Sequence, residues 1–391
     1  MQMLNPKVSI VLPSLNVSKY IRQCIESVIN QTLKEIQIIC VDAGSTDGTL
    51  DILQEYANAD SRVSIITSEK KSYGYQMNLG FKAATGEYLG IVETDDYADP
   101  EMFETLYNCA IKNSLDVAKS GFYYYYSKDK TENIPNPIVS HVMAKQIFCP
   151  LTDFSSKREM AYFFNIKPTI WSAIYNAEFI RENGIVFNET PGASYQDCSF
   201  NFKVWACAKR VQLLEGCFLH YRQDNEASSI NSPGKVYCIC DEYNEIRNFL
   251  DEHPTQKGKL LPVMARLQYD NYMWNYMRLS NKQLRTEFLM RFHNDFYQHE
   301  KEGILDKDYF EWYRWNTMLS IINDLSSLQI KLENDYKVHN NPDELNEQQH
   351  KLKSIKPRLI RKLVAGYYLM KNVGLCSTVK YLIGKVREVI R

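Results

Sequence analysis

Three carboxylates fall within the four residues Glu93-Thr94-Asp95-Asp96, directly after the apolar run Tyr88 to Val92. At the end of a buried strand, such a cluster carries a large electrostatic cost unless a cation compensates it. Mg²⁺ or Mn²⁺, bound by one or two carboxylates and by the phosphates of a nucleotide diphosphate, would satisfy the charge and steady a leaving group. Asp95 and Asp96 are the candidate metal ligands, because Asp99 is better placed to cap the helix that Pro100 opens. A second acidic point is Asp42, after the run Ile36 to Val41; facing a cleft, it could accept a ring N–H such as N3–H of uracil. Gly44 and Gly48 then permit a tight turn, with Ser45 and Asp47 either facing a ligand or capping the next helix. The first apolar run ends in Pro13-Ser14-Leu15-Asn16. Gly74 and Asn78 lie in a glycine-punctuated segment that either touches a ligand or packs closely against a neighbour.

These residues need a scaffold that gathers strand ends. Val8 to Leu12, Ile36 to Val41, Val63 to Ile66 and Tyr88 to Val92 read as short buried strands, and helical patterns separate them. That alternation predicts βαβ units and a mostly parallel sheet, with ligands at the carboxyl ends of the strands. Asp116 to Phe122 reads as another strand, and Ser127 to Pro150 as a loop. After Asn225 the pattern is almost wholly helical, with Tyr237 to Leu250, Leu260 to Leu279 and Lys282 to His299 as helices. The expected organisation is an α/β domain over 1–232, with a donor half at about 6–122 and an acceptor half at about 123–232. A helical module follows over 233–350, then a basic tail over 351–391.

The 391 residues carry 46 basic and 47 acidic side chains, so no whole-chain electrostatic case for nucleic-acid binding exists. Apolar residues at 45% and aromatics at 13% suit a folded protein. Ten cysteines without paired CxxC elements indicate neither a zinc ribbon nor a disulfide framework. With no secretory pattern visible and no apolar run of spanning length, a cytoplasmic location is expected.

In their order and spacing, Pro13 to Asn16, Val41 to Thr49, Gly74 to Gly86 and Thr94-Asp95-Asp96 resemble the family 2 inverting glycosyltransferases of the GT-A fold. The likeness covers about residues 6–230. It implies a nucleotide diphospho-sugar donor, usually UDP-linked, contacted by Pro13, Ser14, Asn16, Asp42, Gly44, Ser45, Gly74, Asn78, Thr94 and Asp95. It also implies a divalent metal at Asp95 and Asp96. Two positions depart from the commoner pattern: Ala43 stands where a second Asp is frequent, and Glu93 where the cluster's first Asp is frequent.

The same resemblance implies a general base in Tyr195-Gln196-Asp197-Cys198, with Asp197 in that role and Gln196 replacing the usual Glu. Trp171 falls in the acceptor-side segment, where its ring either stacks on a sugar or packs in the core. Arg222 could neutralise diphosphate charge, and His220 is a further candidate metal ligand, although a lone histidine is more often structural. The implied activity moves a hexose or amino-hexose from a UDP-sugar to a glycan or lipid-linked glycan, in a bacterial surface polysaccharide pathway such as capsule synthesis. A sugar nucleotidyltransferase and a catalytically lapsed binding protein are the alternatives.

Lys351 to Arg391 holds eleven Lys or Arg against one acid, Glu388, interleaved with Leu359, Ile360, Leu363 and Val364. Cationic amphipathic helices of this kind can lie on an anionic membrane surface. A solvated or dimer-forming helix pair is the alternative, so a homodimer is also a candidate.

Overall fold

The computed structural model describes residues 6–128, 131–138, 146–225 and 235–340. Four parallel strands form its first half: β1 (Val8–Ser14), β2 (Ile36–Asp42), β3 (Val63–Thr67) and β4 (Tyr88–Ile91), in the order β3-β2-β1-β4. Every residue of β1 and β4 is buried, because helices cover both faces of such a sheet. The helices α1 (Ile21–Ile29), α2 (Thr49–Ala59) and α3 (Tyr73–Ala83) connect them. Along α1 the buried residues are Ile21, Cys24, Ile25 and Val28, the expected apolar stripe. Register sets Ser14 beside Asp42 and Asp42 beside Thr67, so these strands deliver their polar ends to one edge.

Past β4 the sheet becomes mixed. β9 (Ala173–Asn176) runs antiparallel between β4 and β6 (Val117–Tyr126), and β10 (Val211–Arg222) lies parallel to β6. The short β5 (Tyr97–Ala98) pairs antiparallel with β10, matching His220 with Tyr97. That pairing carries Arg222 to the acidic Asp95-Asp96 turn, a juxtaposition invisible along the chain. The segment expected as a loop over 127–150 instead contains β7 (Glu132–Asn136), antiparallel to β6, and β8 (Ile147–Phe148), paired with β10. Pro135 disguised β7; proline lacks the donor an interior strand needs, and among the described residues β7 pairs with β6 alone, where proline is tolerated.

On the second half pack α4 (Met102–Asn113), α5 (Lys157–Phe164), α6 (Ala177–Glu182) and α7 (Gln196–Cys207). Next come α8 (Cys238–Glu252), α9 (Pro254–Arg278), α10 (Lys282–Lys301) and α11 (Trp312–Asn323). Residues 1–323 form one compact unit. Two polar ties help join α8 to α7: Ser199 donates to Glu242, and Lys203 pairs with Glu245. Tyr269, Tyr272 and Tyr276 of α9 are buried, as their helical spacing predicts. The second unit is 324–391, of which α12 (Leu325–Asn340) is described; the basic tail 351–391 lies outside the described residues.

Candidate active site

β4 runs into a tight turn closed by Asp96 N–H on the Glu93 carbonyl, 3.0 Å. The Thr94 hydroxyl donates to Pro13 O at 2.7 Å and locks this turn to the end of β1. Asp96 is only 1% exposed; one carboxylate oxygen accepts the Arg222 backbone N–H at 2.8 Å, while the other is buried with no partner. Burial, reinforced by the charge of Asp95, pushes the Asp96 carboxyl well above the usual range. Asp95 is half-buried and accepts from Asn225 at 2.8 Å.

An acidic pair with one unsatisfied buried oxygen fits a divalent cation. Among the described residues no group of three or more His, Cys, Asp or Glu side chains forms a cage. A site with one or two carboxylates suits an ion that takes its remaining ligands from phosphate and water.

Arg222 is a clamp on this turn. Its Nε donates to Asp95 O at 2.9 Å, its Nη1 to Ser127 at 3.0 Å and its Nη2 to Gln23 at 2.6 Å, and the guanidinium stacks 4.8 Å from the rings of both Tyr20 and Tyr125. His220 is spoken for as well: its ring nitrogens lie 2.7 Å from Asn133 and 2.8 Å from Asp99, and Tyr97 and Tyr123 stack on it. A ring with both nitrogens bonded and both faces flanked has no lone pair for a metal, so the expected ligation by His220 is not met.

Asp42 is fully buried and accepts four hydrogen bonds, from Gly44 N, Ser45 N, Ser45 Oγ and Ser14 Oγ at 2.6–3.0 Å. A carboxylate has about four acceptor directions, so in this structure Asp42 shapes the turn and has none left for a base. The turn needs Gly44 and Gly48, at φ 79° and 95°. Asn16, at φ 55°, takes the Thr46 N–H on its side chain at 2.8 Å and gives its own N–H to Ser45. Exposed or half-buried on this rim are Leu15, Asn16, Gly44 and Ser45, whereas Pro13 and Ser14 are buried beneath it. Beneath it too, Gln76 spans both strand ends, donating to Ser14 O at 2.9 Å and Val41 O at 2.6 Å.

Two further expected donor contacts serve packing. A Cβ on Gly74 would stand 1.9 Å from Asn188 O, so close backbone approach is what requires glycine. Asn78 is turned to the same segment, donating to Phe187 O at 3.0 Å and accepting Phe187 N–H at 2.8 Å. Trp171, 7% exposed, packs edge-on against Phe122 and beside Tyr221, centroids 5.0 and 5.2 Å apart, which is core packing and not an open stacking face.

Asp197 stands in the first turn of α7, after Tyr195 at φ 65°. Gln196 straps the preceding loop: its carbonyl accepts Ser194 N–H and its amide donates to Thr190 Oγ1 at 2.9 Å and Gly192 O at 3.1 Å. A glutamate could not donate those last two bonds, which accounts for the amide at this position. Burial raises the Asp197 carboxyl to about 6, against the pull of the Cys198 N–H and the positive charges of Lys167 and Lys119. Glu93 is raised to about 8, chiefly by burial, with Asp95 and Asp197 adding to it. The charge of Asp197 reaches Glu93, and those of Asp197 and Asp96 both reach Lys167, so Asp197 and the acidic turn lie within electrostatic reach of each other.

Sequence reasoning passed over the cations of this cleft. Lys167 holds its ammonium 4.7–5.3 Å from the rings of Tyr221, Tyr124 and Phe122; burial lowers its pKa while Asp197 and Asp96 raise it. Nothing in Ile166-Lys167-Pro168 announces that position. Lys119 is fully buried in β6 and bonds Thr169 and Ser172, and burial lowers it to about 7. A lysine inside the strand-like run Val117 to Phe122 was a usable signal. Two surface concavities of about 570 and 480 Å³, beside Asp116 and beside Lys157, include none of these groups.

A mixed sheet with an acidic turn after its fourth strand is the architecture of the GT-A fold. Solved structures share the fold: Staphylococcus aureus TarS 1–349 in complex with UDP-GlcNAc superimposes with a TM-score of 0.64 at 19% identity, over 85% of this chain and 91% of that one. More narrowly, residues 9–170 match the family described as Glycosyl transferase family 2. The uncharacterized glycosyltransferase EpsJ of Bacillus subtilis is 30% identical over 226 residues, 58% of this chain and 64% of EpsJ. The putative glycosyltransferase EpsH of the same organism is 39% identical over 223 residues, 56% of this chain and 62% of EpsH. The chain thus spans less than two thirds of the length of these relatives.

Proposed function

We propose that the chain transfers a hexose or amino-hexose from a UDP-sugar to a glycan acceptor with inversion at the anomeric carbon. The observation that carries this reading is a pair of unlike carboxylates within electrostatic reach of one lysine, Lys167. Asp96 has a buried oxygen that lacks a partner, and Asp197 is raised to about 6 across from it. The domain's family and the UDP-GlcNAc bound by the TarS structure support it.

Asp95 and Asp96 would hold Mg²⁺ or Mn²⁺ there, and that ion would offset the negative charge gathering on the departing diphosphate. Arg222 fixes the backbone of this turn. Asn16, Gly44 and Ser45 form the rim offered to the nucleoside. On the opposite side Asp197 takes the proton of the acceptor hydroxyl as its oxygen attacks the anomeric carbon, and the electron pair of the C1–O bond leaves with UDP. A carboxyl near 6 is mostly ionised at neutral pH yet more basic than an ordinary aspartate, which suits a general base.

Attachment of the tail 351–391 to an anionic membrane, next to a lipid-linked acceptor in surface polysaccharide synthesis, belongs to the same reading and rests on its charge pattern. Among the described residues no helix is long and apolar enough to cross a membrane, and the nine cysteines are free.

The test is release of UDP from a panel of UDP-sugars with Mn²⁺. Metal-dependent release that Asp96→Ala abolishes is expected; pyrophosphate release from a nucleoside triphosphate plus sugar phosphate, or no turnover of any donor, would overturn the reading.

A further inference from the structure

Arg222, Lys119 and Lys167 all lie within electrostatic reach of Asp96 or Asp197, and they are not alike. Arg222 spends its guanidinium on Asp95 O, Ser127 and Gln23, and Lys119 spends its ammonium on Thr169 and Ser172. Lys167 differs: it is exposed, and among the described residues its ammonium has neither a hydrogen bond nor an ion pair. Three N–H donors are therefore open to a ligand.

What holds Lys167 in place is a set of rings. Phe122 and Tyr124 stand two residues apart on β6, hence on one face, and Tyr221 pairs with Tyr124 across the β6–β10 ladder. The ammonium lies 5.3, 5.0 and 4.7 Å from the centroids of Phe122, Tyr124 and Tyr221. Ring faces attract a cation without consuming its donors. Tyr221 ties this seat to the acidic turn, because the N–H of the next residue, Arg222, bonds Asp96 at 2.8 Å. The charges of Asp96 and Asp197 reach Lys167, and those of Asp96, Asp95, Asp197 and Glu93 all reach Tyr221.

An ammonium donates and never accepts, so the group it suits best is an oxygen bearing negative charge. We propose that Lys167, seated on the Tyr221 ring, binds an anionic oxygen of the substrate between Asp96 and Asp197. The diphosphate of a nucleotide sugar supplies such an oxygen at the Asp96 end, and an acidic transferred sugar supplies a carboxylate. The charge-neutralising part expected of Arg222 thus passes to Lys167, while Arg222 holds the turn. This deepens the proposed transferase reading and rests on it.

The experiment uses the full chain with Mn²⁺ and measures by calorimetry the affinity for UDP, UDP-glucose and UDP-glucuronic acid in the natural chain, Lys167→Met and Lys167→Arg. Met keeps the apolar stem and deletes the charge, so UDP should bind Lys167→Met about tenfold more weakly, and Lys167→Arg should stay within about threefold of the natural chain. A loss confined to UDP-glucuronic acid would support the same contact and place the anion on the sugar. Affinities unchanged in Lys167→Met for all three compounds, or an equal loss in both variants, overturn the contact. Failure of the natural chain to bind UDP would instead sink the transferase reading.

Discussion

Replacing Asp197 with Asn should cost the protein its activity and make it more stable. Folding raises this carboxyl from 3.8 to about 6, mainly by burial. Keeping it ionised at neutral pH therefore costs about 3 kcal/mol, or about 2 kcal/mol after discounting for its half-buried position. The folded-state value lies above the unfolded one, so the fold favours the protonated form. The natural chain is spared this cost below pH 4 and bears it in full above pH 6. Asn resembles the neutral acid, so its advantage in urea melts should be about 2 kcal/mol at pH 7.5 and about half that at pH 5. In the transfer assay the variant should lose about 10²- to 10⁴-fold in kcat. The natural enzyme should lose kcat/KM about tenfold per pH unit below 6. A variant no more stable than the natural chain at pH 7.5, or one keeping more than a tenth of the rate, would refute the assignment of this carboxyl as a strained base.

Gly74→Ala should destabilise by about 3 kcal/mol in urea melts, because the added carbon meets a backbone oxygen that cannot turn away; a loss under about 0.5 kcal/mol would show that the segment yields. His220→Ala should leave Mn²⁺ affinity within about twofold by calorimetry, since even an outer partner of a true ligand costs about tenfold; a larger drop would return His220 to the metal. Removing 351–391 should abolish sedimentation with anionic vesicles, each basic residue near such a surface contributing about 1 kcal/mol, and unchanged sedimentation would end the membrane proposal.

Much of the fold could be read along the chain because β1 to β4 and the helices between them are local in sequence. Each apolar run is the length of one strand, and each is followed at once by its polar end, so Asp42, Asp95 and Asp96 were found where they stand. The family resemblance also implied that Asp197 stands at the start of a helix, and it does. What they could not give was the use of each side chain. His220, Trp171, Gly74 and Asn78 had plausible chemistry by type, yet their bonding groups or faces are taken by residues distant in sequence, such as Asn133, Asp99 and Asn188.

Only tertiary structure decides whether a polar atom is already satisfied, because hydrogen bonding and burial are settled by neighbours brought from other elements. That is why Asp42 ends as the organiser of a turn and Asp96 keeps an unsatisfied oxygen, although both are aspartates at strand ends. For the same reason Lys167 is anonymous in the sequence. Its reach to Asp197 follows from the pairing of β6, β9 and β10, which brings together residues separated by tens of positions.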